Sequence, residues 1–202
     1  MSNACLRQLK THNYAFRVAQ RLPYSARMSS PPLARFLEAM SGVYGPLPSG
    51  DSSTWEPPPK AGGFKGRYLW TDAFGVVNFL TLYKETGNDT YLSLAKRLVQ
   101  KVHDIQGRTR DGKLRLPGAT DENPLGGGLR IGKEDAAGSD CDGQYHHYLT
   151  LWMFALNRLS MAANDPSYNA QAISLAKAIH PHFFLDRSSS HPRMVGIPYN
   201  LR

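Results

Sequence analysis

The sequence predicts an all-α protein built from helical hairpins joined by long loops. Three observations predict it: apolar residues fall at helical spacing, an apolar helix is followed by an amphipathic one, and that pair recurs 77 residues later. Thr81–His103 aligns without a gap on Arg158–His180, matching Leu82 with Leu159, Tyr91 with Tyr168, Ala95 with Ala172, Leu98 with Leu175, Val102 with Ile179 and His103 with His180. The match covers the end of each first helix and the whole of each second, and chance similarity between amphipathic helices is the competing explanation. Alternation of this kind implies a ring or stack of hairpins, with the apolar helices inside and the amphipathic helices outside.

Residues 1–32 form a weakly periodic arm, expected to be flexible, that ends in Ser29-Ser30-Pro31-Pro32. Leu33, Phe36, Leu37 and Met40 then recur at helical spacing, predicting a short helix over 33–44. From Gly45 to Gly66 the chain is rich in Pro, Gly and Ser, so an extended loop is expected, with Trp55 tucked against the body. Tyr68–Glu85 reads as a helix apolar on most sides, interrupted mainly by Asp72 and Asn78. Asn88-Asp89 after Gly87 supplies a stop and a fresh cap for the amphipathic helix Tyr91–Val102. Gly107–Cys141 is a long connector, of a length usually functional or disordered. It leads into Asp140–Leu156, a polar cluster that turns within a few residues into an apolar helix. In the second hairpin, Asp165-Pro166 reads as cap and first helical residue.

At 202 residues the chain suits one domain with a real core. Most of its net charge of +8 lies toward the N-terminus: residues 1–37 hold Arg7, Lys10, Arg17, Arg21, Arg27 and Arg35 and no acidic residue. The remainder is nearly neutral and has no basic stripe with interleaved aromatics, which argues against a nucleic-acid partner. No apolar run is long enough to span a bilayer, so a soluble protein without a membrane partner is expected. Cys5 and Cys141 make no disulfide framework, which fits a reducing, cytoplasmic setting. The Arg- and Ser-rich arm keeps a mitochondrial presequence as the alternative.

The segments GRYLWTDAFGVVNFLTLYKETG, LPGATDENPLGGGLRIGK and DGQYHHYLTLWMFALNRLS resemble an uncharacterised family of the six-hairpin glycosidase-like superfamily, the (α/α)6 toroids. The resemblance runs from about Leu33 to Met194. It implies a partial toroid domain over 33–194 and a carbohydrate substrate or ligand, with hydrolysis, elimination and epimerisation all represented in the superfamily. Relatives carry an apolar residue where His146 stands, whereas His147 matches. They also continue into further hairpins where this chain runs Val195–Arg202, a divergent tail. The expectation is therefore a truncated product that exposes an apolar flank and is prone to self-association.

In such toroids sugars bind in the funnel at the inner-helix ends, and the polar residues of the two apolar helices concentrate near their N-termini. Glycoside hydrolysis usually needs two carboxyl groups, roughly 5 to 9.5 Å apart. Asp72 and Asp142 are the candidate pair, with Asp72, the more desolvated, as acid and Asp142 as base. The competing roles are a buried hydrogen-bond partner for Asp72 and a helix cap for Asp142. His147 is a candidate general base for epimerisation, or a core histidine. Trp70 and Tyr145, with Gln144 and His146, are candidates for substrate binding, the two aromatics by stacking on a sugar face. Arg130 would hold a uronate carboxylate or pin its loop. No cofactor is called for. His180, His182, Asp186 and His191 make a weak metal pattern, and Gly126–Gly128 lacks the Lys-Ser/Thr of a phosphate loop.

Overall fold

The structure is a computed structural model in which residues 31–59, 67–138, 140–185 and 193–194 are described. The expected flexible arm, apart from Pro31 and Pro32, and the tail 195–202 lie outside that set, as do Cys5, Asp186 and His191. Five α-helices carry the described fold: α1 (Pro31–Tyr44), α2 (Leu69–Thr86), α3 (Asp89–Gln106), α4 (His146–Ala163) and α5 (Pro166–Ile179). A short 3-10 turn, His180–Phe183, leads into a two-residue antiparallel ladder that pairs Phe184 with Met194 and Leu185 with Arg193.

The two expected hairpins are present, α2 with α3 and α4 with α5. Their correspondence extends further than the sequence match, to the whole of each first helix. Both first helices have 18 residues, both follow an N-cap tyrosine (Tyr68, Tyr145), and both end in a left-handed residue, Gly87 at φ 70° and Asn164 at φ 50°. Each second helix opens with a side-chain cap to the amide two residues on: Asn88 accepts from Thr90 and Asp165 from Ser167. All these pairs keep the 77-residue spacing.

The layers follow from the amphipathic pattern. α2 and α4 pack against each other, and α3 and α5 cover their outer sides. α2 and α4 are parallel, because Trp70 meets His147 and Tyr148 at their N-terminal ends while Lys84 and Arg158 line one cavity near their C-terminal ends. Leu69, Val76, Phe79, Leu94, Leu98, Leu149, Trp152, Leu156 and Leu175 fill the space between the layers. Trp152 Nε1 donates to His103 Nε2 at 3.0 Å, joining the inner helix of one hairpin to the outer helix of the other.

α1 closes one side of the first hairpin through Tyr44. A Cβ on Gly75 would lie 1.9 Å from the Tyr44 hydroxyl oxygen, so only glycine lets the phenol cross α2 here. Trp55 joins the same cluster as expected, 6.4 Å from the Tyr44 ring and 5.9 Å from Phe79.

The connector between the hairpins is ordered over its described residues. It buries Leu116, Leu125, Leu129 and Ile131 and exchanges backbone bonds with the first hairpin. Arg130 N–H donates to Gln106 C=O at 3.0 Å, and Ile131 C=O accepts the first helical N–H of α2, from Leu69, at 2.9 Å. The Gly126–Gly128 run is explained by close packing. Added Cβ atoms would meet Leu116 at Gly127 and the Gln144 amide at Gly128.

Candidate functional site

The residues singled out from the sequence fall into three environments. Asp72 is fully buried in the first turn of α2. Its Oδ1 accepts from Arg67 Nε at 2.8 Å and from the Tyr44 hydroxyl at 3.1 Å, and its Oδ2 accepts from Arg67 at 3.4 Å. Arg67 also lies 5.2 Å from the Tyr44 ring centre and donates to Pro58 C=O. Burial, reinforced by the Asp72 charge, pushes the Tyr44 phenol far above its ordinary range, so it stays a donor. The three side chains tie α1, the loop before α2 and α2 itself into one buried network.

Asp142 lies four residues ahead of α4, whose N-cap is Tyr145. Expected at the helix mouth, it instead closes the connector. Its Oδ1 accepts from the backbone N–H of Gly132 at 2.8 Å and Lys133 at 3.2 Å, and its Oδ2 accepts from Arg110 at 2.9 Å and from Arg130. Arg130 in turn donates to the carbonyls of Arg108 at 2.6 Å and Ile105 at 3.0 Å. Of the two roles open for Arg130, its contacts are those of a loop pin. Gln144 belongs to the same assembly, donating to Gly127 C=O at 2.8 Å. A cavity of about 440 Å³ borders this cluster, lined by Arg110, Asp111, Arg130 and Asp142 but not by Asp72.

The third environment is aromatic and open. Trp70 remains 42% exposed and Phe74 46%, and His147 is exposed beside them. The Trp70 ring centre is 5.7 Å from His147 and 5.5 Å from Tyr148, both edge-to-face, and Tyr145 stands 6.1 Å from His147. Tyr145 is held by its hydroxyl, which donates to Cys141 C=O at 2.9 Å, and burial raises its phenol pKa. The two histidines diverge. His146 packs 5.3 Å from Phe183, with its pKa lowered by burial and then by His147, whereas His147 faces the Trp70 side. Trp70, Phe74, His147, Thr150, Leu151 and Phe154 line a shallow cavity of about 370 Å³.

Chemically, the two carboxylates are already engaged by arginines, and the open rings offer stacking surfaces. Among the described residues no three His, Cys, Asp or Glu side chains form a metal-binding group, and no helix is long and apolar enough to cross a membrane. Sequence reasoning missed Arg67, Tyr44 and Arg110, partners that are distant or lie in loops, and the wall residues Phe74, Tyr148, Leu151 and Phe154. The wall was detectable in principle. Trp70, Phe74 and Val77 correspond to His147, Leu151 and Phe154 at the same 77-residue spacing. Comparison with protein-family models, with curated proteins and with solved structures finds no match for this chain.

Proposed function

We propose that this chain is a carbohydrate-binding protein of six-hairpin glycosidase-like type, with its sugar site on the open face of α2 and α4 near their N-terminal ends. The observation that carries the reading is the exposed Trp70 ring beside His147, held in place by Tyr145 and Tyr148. Stacking of an apolar sugar face on such a ring needs no charged partner, and the buried Tyr145 and half-buried Tyr148 rings behind it brace the platform. The geometry favours the non-catalytic binding scaffold over hydrolysis by an Asp72–Asp142 pair, because each carboxylate is committed to arginine ion pairs and the two serve different networks. A second reading draws support from the exposure of His147: proton abstraction from a bound sugar, as an epimerase requires, would fall to that imidazole. The partial toroid, self-association through exposed apolar side chains such as Ile173, and a cytoplasmic setting belong to the same proposal.

Oligosaccharide binding by calorimetry tests it. Trp70→Ala is expected to weaken binding by about tenfold or more, equivalent to a lost stacking contact of roughly 1.4 kcal/mol. Asp142→Asn is expected to lower stability without a comparable loss of affinity. Binding that survives Trp70→Ala unchanged would remove the platform from the site.

A further inference from the structure

The open face does not stop at the aromatic platform. Trp70, Phe74, Val77, Thr81 and Lys84 lie along one stripe of α2, and His147, Leu151, Phe154, Arg158 and Met161 occupy the equivalent positions of α4. The second half of the seam is a cavity of about 520 Å³, lined by Val77, Thr81, Lys84, Arg158 and Met161 among others. Its walls include the apolar side chains of Val77, Leu80, Met161 and Ala162, and Met161 is 67% exposed. Among the described residues, its charged lining is cationic, Lys84 and Arg158.

Both cations are exposed, and neither forms an ion pair with a described carboxylate. Arg158 lies 5.0 Å from the Phe154 ring centre, a cation–π contact between two residues of the α4 stripe. Lys84 sits in the last turn of α2, where a cation offsets the helix dipole. That role does not account for Arg158, which stands more than a turn before the end of α4 at Ala163. Two full positive charges also exceed the roughly half-unit negative charge at each helix end.

We infer that the sugar ligand is an acidic oligosaccharide lying along the α2–α4 seam, with one end on the Trp70–His147 platform and a carboxylate held between Lys84 and Arg158. The inference rests on the glycan reading above and adds ligand length and charge. Fourteen residues of helix separate Trp70 from Lys84, so the ligand must reach about 20 Å at 1.5 Å per residue. A monosaccharide cannot touch both ends.

The test uses the whole chain and two probes of equal length, a uronate oligosaccharide and a neutral one, each long enough to span the seam. At low salt the uronate probe is expected to bind about tenfold more tightly, and the difference should shrink as salt screens the two exposed cations. The double variant Lys84→Glu/Arg158→Glu should erase the preference. Equal affinities for the two probes, or a preference that persists in the double variant, would overturn this inference while neutral binding leaves the glycan reading standing. Failure of both probes to bind would overturn both.

Discussion

At the scale of single residues, Gly75 and His103 illustrate how the interior is specified. Alanine is the better helix former by about 1 kcal/mol, yet a methyl at Gly75 would occupy the position of the Tyr44 hydroxyl. We expect Gly75→Ala to destabilise the protein by about 2–3 kcal/mol in denaturant melts, because displacing the phenol also takes a donor from buried Asp72. His103 acts through its unprotonated nitrogen, which accepts from Trp152. Burial lowers its pKa from 6.5 to about 4, so the unfolded chain takes up the proton first. Its contribution is therefore complete above about pH 6.5 and lost as pH falls toward 4. A full difference of that size is worth roughly 3 kcal/mol; part of the residue meets solvent, so we expect about half. Stability measured from pH 7 to 4 should lose that component in His103→Gln, whose amide oxygen still accepts from the indole.

At the scale of elements, the two hairpins share their caps, and the caps differ in chemistry. Asn88→Ala is expected to cost about 1 kcal/mol at any pH. Hydrogen bonds from Ser167, through its hydroxyl and then its backbone N–H, lower the Asp165 pKa below its ordinary 3.8. Its cap is fully formed above that value and fades as pH falls through the lowered one, so Asp165→Ala should matter less in strong acid. Thermal melts of both variants at neutral and acid pH check the contrast. These elements were legible in the sequence because their signals are local: Asn88, Asp165-Pro166 and the amphipathic pattern of 91–102 each act over a few residues. The start of α4 was not, because Asp142 looks like a helix cap in sequence while its partners Arg110 and Arg130 lie 32 and 12 residues away. The same limit explains Asp72. Its setting as a buried, fully bonded carboxylate depends on Tyr44, 28 residues upstream.

At the scale of the whole molecule, two equivalent hairpins place equivalent faces side by side. Apolar helices read from sequence as buried on all sides, which concealed that each keeps one stripe open. Those stripes meet at the α2–α4 seam and bring Trp70 beside His147 and Lys84 near Arg158. The carboxylates instead brace the framework, Asp72 beneath α1 and Asp142 within the connector. The central claim is thus about place: a glycan lies on the seam and not in the Arg110–Asp142 cavity. Hydrogen–deuterium exchange with side-chain chemical-shift mapping, recorded during titration with an oligosaccharide, tests it most directly. We predict shifts at the Trp70 indole and His147 imidazole, running along the exposed positions of α2 and α4, with the Asp142 loop unchanged. Shifts centred on Arg110, Arg130 and Asp142, with Trp70 and His147 silent, would contradict it.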